Sequence, residues 1–185
     1  MKLKTRIAFT AAIATILLLS GISQIETAVL HESVFRLTGD GRVNFTDVQT
    51  GERLSIVYRD ASGAYNESAL DAVERVLRCH GDHETFPISL KLIELIDHIQ
   101  DHFGVDGVMV VSGYRSPEYN AALKRRIKRV AHDSLHMKGL AMDIRLAGIG
   151  KEELGHYARS LESGGVGVYH SSNFVHIDAG PVRSW

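Results

Sequence analysis

The chain has 185 residues, 44% of them hydrophobic and 23% charged, a composition that excludes a disordered polymer. Lys+Arg 21 nearly cancels Asp+Glu 22, so the basic excess of a nucleic-acid binder is missing and no nucleic-acid partner is expected. A single cysteine excludes both an internal disulfide framework and a four-cysteine zinc site.

Lys2, Lys4 and Arg6 precede an apolar run from Ile7 to Leu19. A basic start, an apolar stretch and then small residues read as an export signal cleaved near Ser23, or as an uncleaved membrane anchor. The run is short for a span of about 20 residues. Either way the remainder, 24–185, is expected as one exported, periplasmic domain. Residues 34–58 read as a strand meander, punctuated by Thr38-Gly39-Asp40-Gly41 and Thr50-Gly51. A helix is predicted over 67–78, where Leu70, Val73, Val76 and Leu77 share a face. A longer one is predicted over 87–103, with Pro87 in its first turn. Val108–Val111 reads as a short buried strand and 117–127 as a helix. Leu140–Ile144 reads as a strand and 151–162 as a helix. Two strands follow, Val166–Tyr169 and Phe174–Asp178. Helices and strands do not alternate regularly. The expected class is α+β, a small, mostly antiparallel sheet flanked by helices.

Ten histidines need sorting. His136 and Asp143 flank a glycine turn at Gly139, and a strand at 140–144 would fold them together. His176 and Asp178 share a strand face, because side chains alternate. Two histidines and a carboxylate suit a zinc site whose fourth position is left to water. The plainer alternative makes them polar residues at strand ends and turns.

The segment Ser134-x-His136-x-x-Gly139-x-Ala141-x-Asp143 resembles the zinc motif of the D-Ala-D-Ala carboxypeptidase, lysostaphin and hedgehog group of metallopeptidases. Ser112-Gly113-Tyr114-Arg115-Ser116 lies where that group carries an arginine. Gly164-Gly165-Val166-Gly167-Val168-Tyr169 and the ending Asn173 to Trp185 are similar to the murein endopeptidase K branch. The resemblance spans roughly residues 34–185. It implies a zinc cleft on the sheet, with one Zn2+ per chain held by His136, Asp143 and His176. It implies an exported peptidase that acts on peptidoglycan stem peptides. Arg115 would face a developing oxyanion or a peptide carboxylate. Ser134 would steady the His136 loop, and Tyr114 would pack or touch substrate.

The general base is where the resemblance thins. Relatives in the wider group carry an acid three before the last histidine, or a histidine two before it; here those positions are Asn173 and Phe174. Asp178 is the expected base, with orientation of a histidine as its alternative role, and His170 is the second candidate. A carboxypeptidase acting on stem peptides, or a non-catalytic, zinc-stabilised wall-binding module, stays open as an alternative function. A small hydrolase of this kind is expected as a monomer. Among other clusters, Cys79-His80-Gly81-Asp82-His83 reads as a helix-to-helix loop, and Asp40-Gly41-Arg42 with Asp47 as a turn. Lys124-Arg125-Arg126 with Lys128-Arg129 is a basic run at a helix end, read as a solvated face or a contact for anionic wall polymer.

Overall fold

A computed structural model describes residues 37–169 and 171–185. The expected leader at 1–23, the start of the meander and His170 lie outside the described residues. Val43 and Phe45 alternate with polar neighbours, so β1 (Arg42–Asp47) buries one face only. It pairs antiparallel with β2 (Arg53–Val57), setting Phe45 opposite Leu54. Helix α1 (Glu67–Val76) starts where the Asn66 side chain accepts from the Ala69 amide. Helix α2 (Leu90–Phe103) ends at Gly104, whose φ of 58° is left-handed. The sequence placed Pro87 in the first turn of α2, but the helix starts at Leu90. Residues before it run extended because the Ser89 amide bonds the Gly139 carbonyl at 2.9 Å.

The two helices carry the chain back along the sheet, and β3 (Val108–Ser112) therefore enters parallel to β1. Helix α3 (Pro117–Arg126) is capped by Ser116 and opens on proline. A 3-10 turn (Leu135–Lys138) leads into β4 (Ala141–Leu146). Then come α4 (Lys151–Ser160), β5 (Gly165–Tyr169), β6 (Phe174–Asp178) and the two-residue β7 (Arg183–Ser184).

The strands form one seven-stranded sheet in the order β2-β1-β3-β4-β6-β5-β7. The class is α+β as expected, but the sheet is mixed rather than mostly antiparallel. The β1–β3 and β5–β7 pairings are parallel, the first through the helical return and the second because the chain passes over β5 after β6. Val110, Ile144, Val175, Ile177 and Val166 face one side, buried with Leu92, Ile96 and Ile99 of α2, Val73 of α1 and Leu154 of α4. By alternation Asp143 and His176, paired directly across β4 and β6, face the other side. The β3–β4 register shifts between Val110 and Ser112, and this bulge puts Ser112 opposite Asp143. Among the described residues no helix is long and apolar enough to cross a membrane.

Candidate metal centre

Three atoms converge on the face of the sheet opposite the apolar core. His136 Nε2 lies 3.2 Å from Asp143 Oδ1 and 3.2 Å from His176 Nδ1, and His176 Nδ1 lies 2.8 Å from Asp143 Oδ1. Ligands of a tetrahedral zinc at ordinary bond lengths sit about 3.3 Å apart, so the triangle has the size that a small cation requires. All three residues are buried, as is the whole donor set.

Each position has a local cause. The 3-10 turn aims His136 back over the sheet, and Gly139 ends it at φ 63°. A side chain at Gly139 would meet the Pro87 carbonyl at 2.0 Å, so only glycine closes this turn. Asp143 and His176 are cross-strand partners, which sets their side chains close together.

Partners outside the triangle choose the tautomers. His136 Nδ1 donates to the Gly113 carbonyl at 2.7 Å, leaving Nε2 with its lone pair towards the cluster. His176 Nε2 donates to Asp178 Oδ2 at 3.2 Å, leaving Nδ1 free for the cluster. Arg115 Nη2 bonds the second oxygen of Asp143 at 2.5 Å, and its Nε bonds Ser112 Oγ at 2.8 Å.

The electrostatics agree with a cation site. Burial drives the His136 pKa down and keeps the ring neutral. Burial alone would raise Asp143, but His136, His176 and Arg115 outweigh it and hold the carboxylate well below its usual range. His176 is also pushed down by burial, yet Asp143 and Asp178 leave it raised overall. A buried anion between two imidazoles and a guanidinium fits the donor set of a divalent ion.

The triangle opens into a cavity of about 500 Å³. Arg115, Ser134, Tyr169, Phe174, Arg183 and Trp185 are among its walls. Ser134 is buried beside the 3-10 turn, and its carbonyl accepts from the Met137 amide. Tyr114 stacks on Phe86, ring centroids 5.0 Å apart, and is not a wall residue. Asp178 is fully buried behind His176, on the side of the ring away from the triangle. Its oxygens accept from Gly165 N at 3.0 Å, Gly180 N at 2.8 Å and Arg183 Nη2 at 2.7 Å. Burial raises Asp178, but His176 and the two backbone amides bring it below the usual range.

Sequence reasoning passed over several participants. Ser112 and Gly113 read as the end of a strand, yet one orients Arg115 and the other His136. Arg183 binds Asp178, and the Trp185 ring lies 5.3 Å from that of His176. A glycine is needed under that indole, since a Cβ at Gly167 would meet it at 2.5 Å. His80, read as a loop histidine, is a cavity wall held by Asp47 at 2.6 Å.

Comparison with known proteins gives one consistent result. The Peptidase_M15_2 family model, described as peptidoglycan L,D-endopeptidase MepK, matches residues 37–185. A probable peptidoglycan L,D-endopeptidase MepK of Haemophilus influenzae is 34% identical over 163 residues, 85% of this chain and 87% of the relative. The peptidoglycan L,D-endopeptidase MepK of Escherichia coli K12 is 33% identical over 181 residues, 96% of this chain and 98% of the relative. No solved structure matches the chain.

Proposed function

The chain belongs to the peptidoglycan L,D-endopeptidase MepK family, and on that premise we propose that it hydrolyses L,D peptide cross-links of peptidoglycan outside the cytoplasmic membrane, with one Zn2+ held by His136, Asp143 and His176. The observation that carries the reading is the buried triangle of two nitrogens and one oxygen, none more than 3.2 Å apart, at the base of an open cavity. With three protein donors, a fourth position is left for water, the arrangement of a catalytic rather than a structural ion. Zinc bound there supplies an acidified water and a Lewis acid for the scissile carbonyl.

The residues of the chain do the rest. Arg115 holds Asp143 in place and presents fixed positive charge to the cavity, where negative charge develops on the carbonyl oxygen during attack. Ser112 fixes the guanidinium through Nε. The Gly113 carbonyl and Asp178 lock the two imidazoles in the tautomers that face the ion. In this reading Asp178 positions His176, since it is fully buried and its oxygens are already engaged by His176, Arg183 and the Gly165 and Gly180 amides.

The experiment uses the chain from about residue 24, incubated with defined cross-linked muropeptide dimers, with added zinc or with a chelator. Zinc-dependent conversion of dimers to monomers is the expected result, and product masses identify the bond. Untouched dimers with a tightly held zinc would sink the endopeptidase reading. Trimmed monomers beside intact dimers would replace it with a carboxypeptidase.

A further inference from the structure

Residues 117–135 make an excursion from the sheet that leaves and returns at the metal centre. Arg115, beside its outgoing end, binds Asp143; His136, just past its return, belongs to the triangle. α3 runs out for ten residues, about 15 Å. The chain then turns and comes back along it, with Asn120 Nδ2 bonding the Ala131 carbonyl at 3.0 Å and Lys124 Nζ the Val130 carbonyl at 3.2 Å.

The tip of this excursion carries Lys124, Arg125, Arg126, Lys128 and Arg129, all exposed. Among the described residues, no carboxylate pairs with any of the five within ion-pair distance. Leu123, Ile127, Arg129 and Val130, interleaved with them, are cavity walls, so the basic tip forms the cavity's rim. The remainder of the protein has the opposite sign. Residues 37–185 hold 17 Lys and Arg against 20 Asp and Glu, and five of those 17 lie within 124–129. The body therefore carries 12 positive against 20 negative side chains, while six consecutive residues on the rim carry five positive ones and no negative one.

We propose that this tip is a docking surface for the anionic wall polymer, recognising the carboxylates of stem peptides beyond the one being cut. The inference rests on the peptidoglycan reading above. Its chemistry is charge complementarity: the body is net acidic and disfavours a polyanion, whereas the basic rim attracts it and brings the polymer beside the metal centre. Arg125, Arg126 and Lys128 lie outside the cavity lining, so in this proposal they serve the polymer rather than a short peptide held at the metal centre. The exposed cations are screened by salt, which gives the surface a signature that a snug pocket lacks.

The test compares the zinc-loaded wild type with Arg125→Gln/Arg126→Gln/Lys128→Gln, three residues that do not line the cavity. Two quantities are read: co-sedimentation with purified sacculi at low and high salt, and hydrolysis of sacculi against a soluble cross-linked dimer. The triple variant is expected to lose on the order of tenfold in sedimentation and in sacculus hydrolysis at low salt. Its kcat/KM on the dimer should stay at the wild-type value, and the wild type should fall to the variant's sedimentation at high salt. Equal sedimentation of both proteins at low salt would overturn the proposal. So would salt-insensitive sedimentation of the wild type, or pull-down by anionic phospholipid vesicles with none by sacculi. If the wild type cleaves no dimer, the enzymatic reading fails while sedimentation still decides the docking surface.

Discussion

At His136 and His176 the choice of nitrogen is made by what lies behind the ring. The Gly113 carbonyl accepts from one and the Asp178 carboxylate from the other, so each presents a lone pair to the same point. His136→Ala is expected to abolish stoichiometric zinc, read by elemental analysis of the dialysed protein, together with all peptidase activity. Asp178→Asn separates two roles. As a positioning residue its loss weakens zinc binding by about 10–100-fold and added zinc restores turnover. As a general base its loss leaves metal affinity intact and no zinc concentration rescues activity. Arg115→Lys keeps the charge but loses the planar fork that spans Ser112 and Asp143. It should keep zinc and lose kcat/KM by on the order of a hundredfold on the dimer. Full activity in that variant would show that the guanidinium is dispensable.

Helix α2 shows what an element costs when it carries charge into the core. Asp97 is fully buried, accepts from Tyr58 Oη at 2.7 Å and Gly41 N at 2.9 Å, and has one oxygen without a partner. Burial, with Asp101 and Asp40 adding like charge, pushes its pKa up to about 6. A carboxyl raised from its unfolded value makes the fold more stable below that value and less stable as pH climbs through 6. Relative to Asp97→Asn, the wild type should therefore lose stability between about pH 4 and pH 7, by about 3 kcal/mol at most. Parallel urea titrations of the two proteins across that range check it, and superimposable pH curves would refute it. The turn before β4 makes a second test. Gly139→Ala, forced into left-handed backbone against the Pro87 carbonyl, should lower stability by on the order of 2 kcal/mol and weaken zinc retention in a chelator competition. Helical periodicity and strand alternation made most elements legible, and Phe174–Asp178 emerges with the bounds the alternation predicts. Less legible were features set by distant chain. The β3 bulge depends on pairing with Asp143, and the late start of α2 on a bond to Gly139. The two residues of β7 are too few to show a period.

Across the whole molecule, core and site occupy opposite faces of one sheet. The apolar side is packed by α1, α2 and α4 without help from the metal side. Chelation should therefore leave helix and strand signals in far-UV circular dichroism intact while lowering Tm by on the order of ten degrees. Collapse to an unfolded spectrum on chelation would show that the ion is part of the core. The histidine and aspartate spacing only suggested a cluster in the sequence, and the resemblance of the short motifs around His136 and His176 to a zinc-peptidase pattern is what named its three members. The cavity wall at His80 was not readable, since His80 joins it through the packing of separate loops, held by Asp47. Asp143 and His176 stand directly opposite each other on neighbouring strands. A slip of one residue between β4 and β6 would send one of them to the helical face and dismantle the triangle. If the triangle holds the ion as proposed, wrongly zipped copies would lose the ion and with it the hydrolysis. For a cell whose envelope is the substrate, the sheet would then work as a built-in inspection step, arming a molecule only after its strands are correctly aligned.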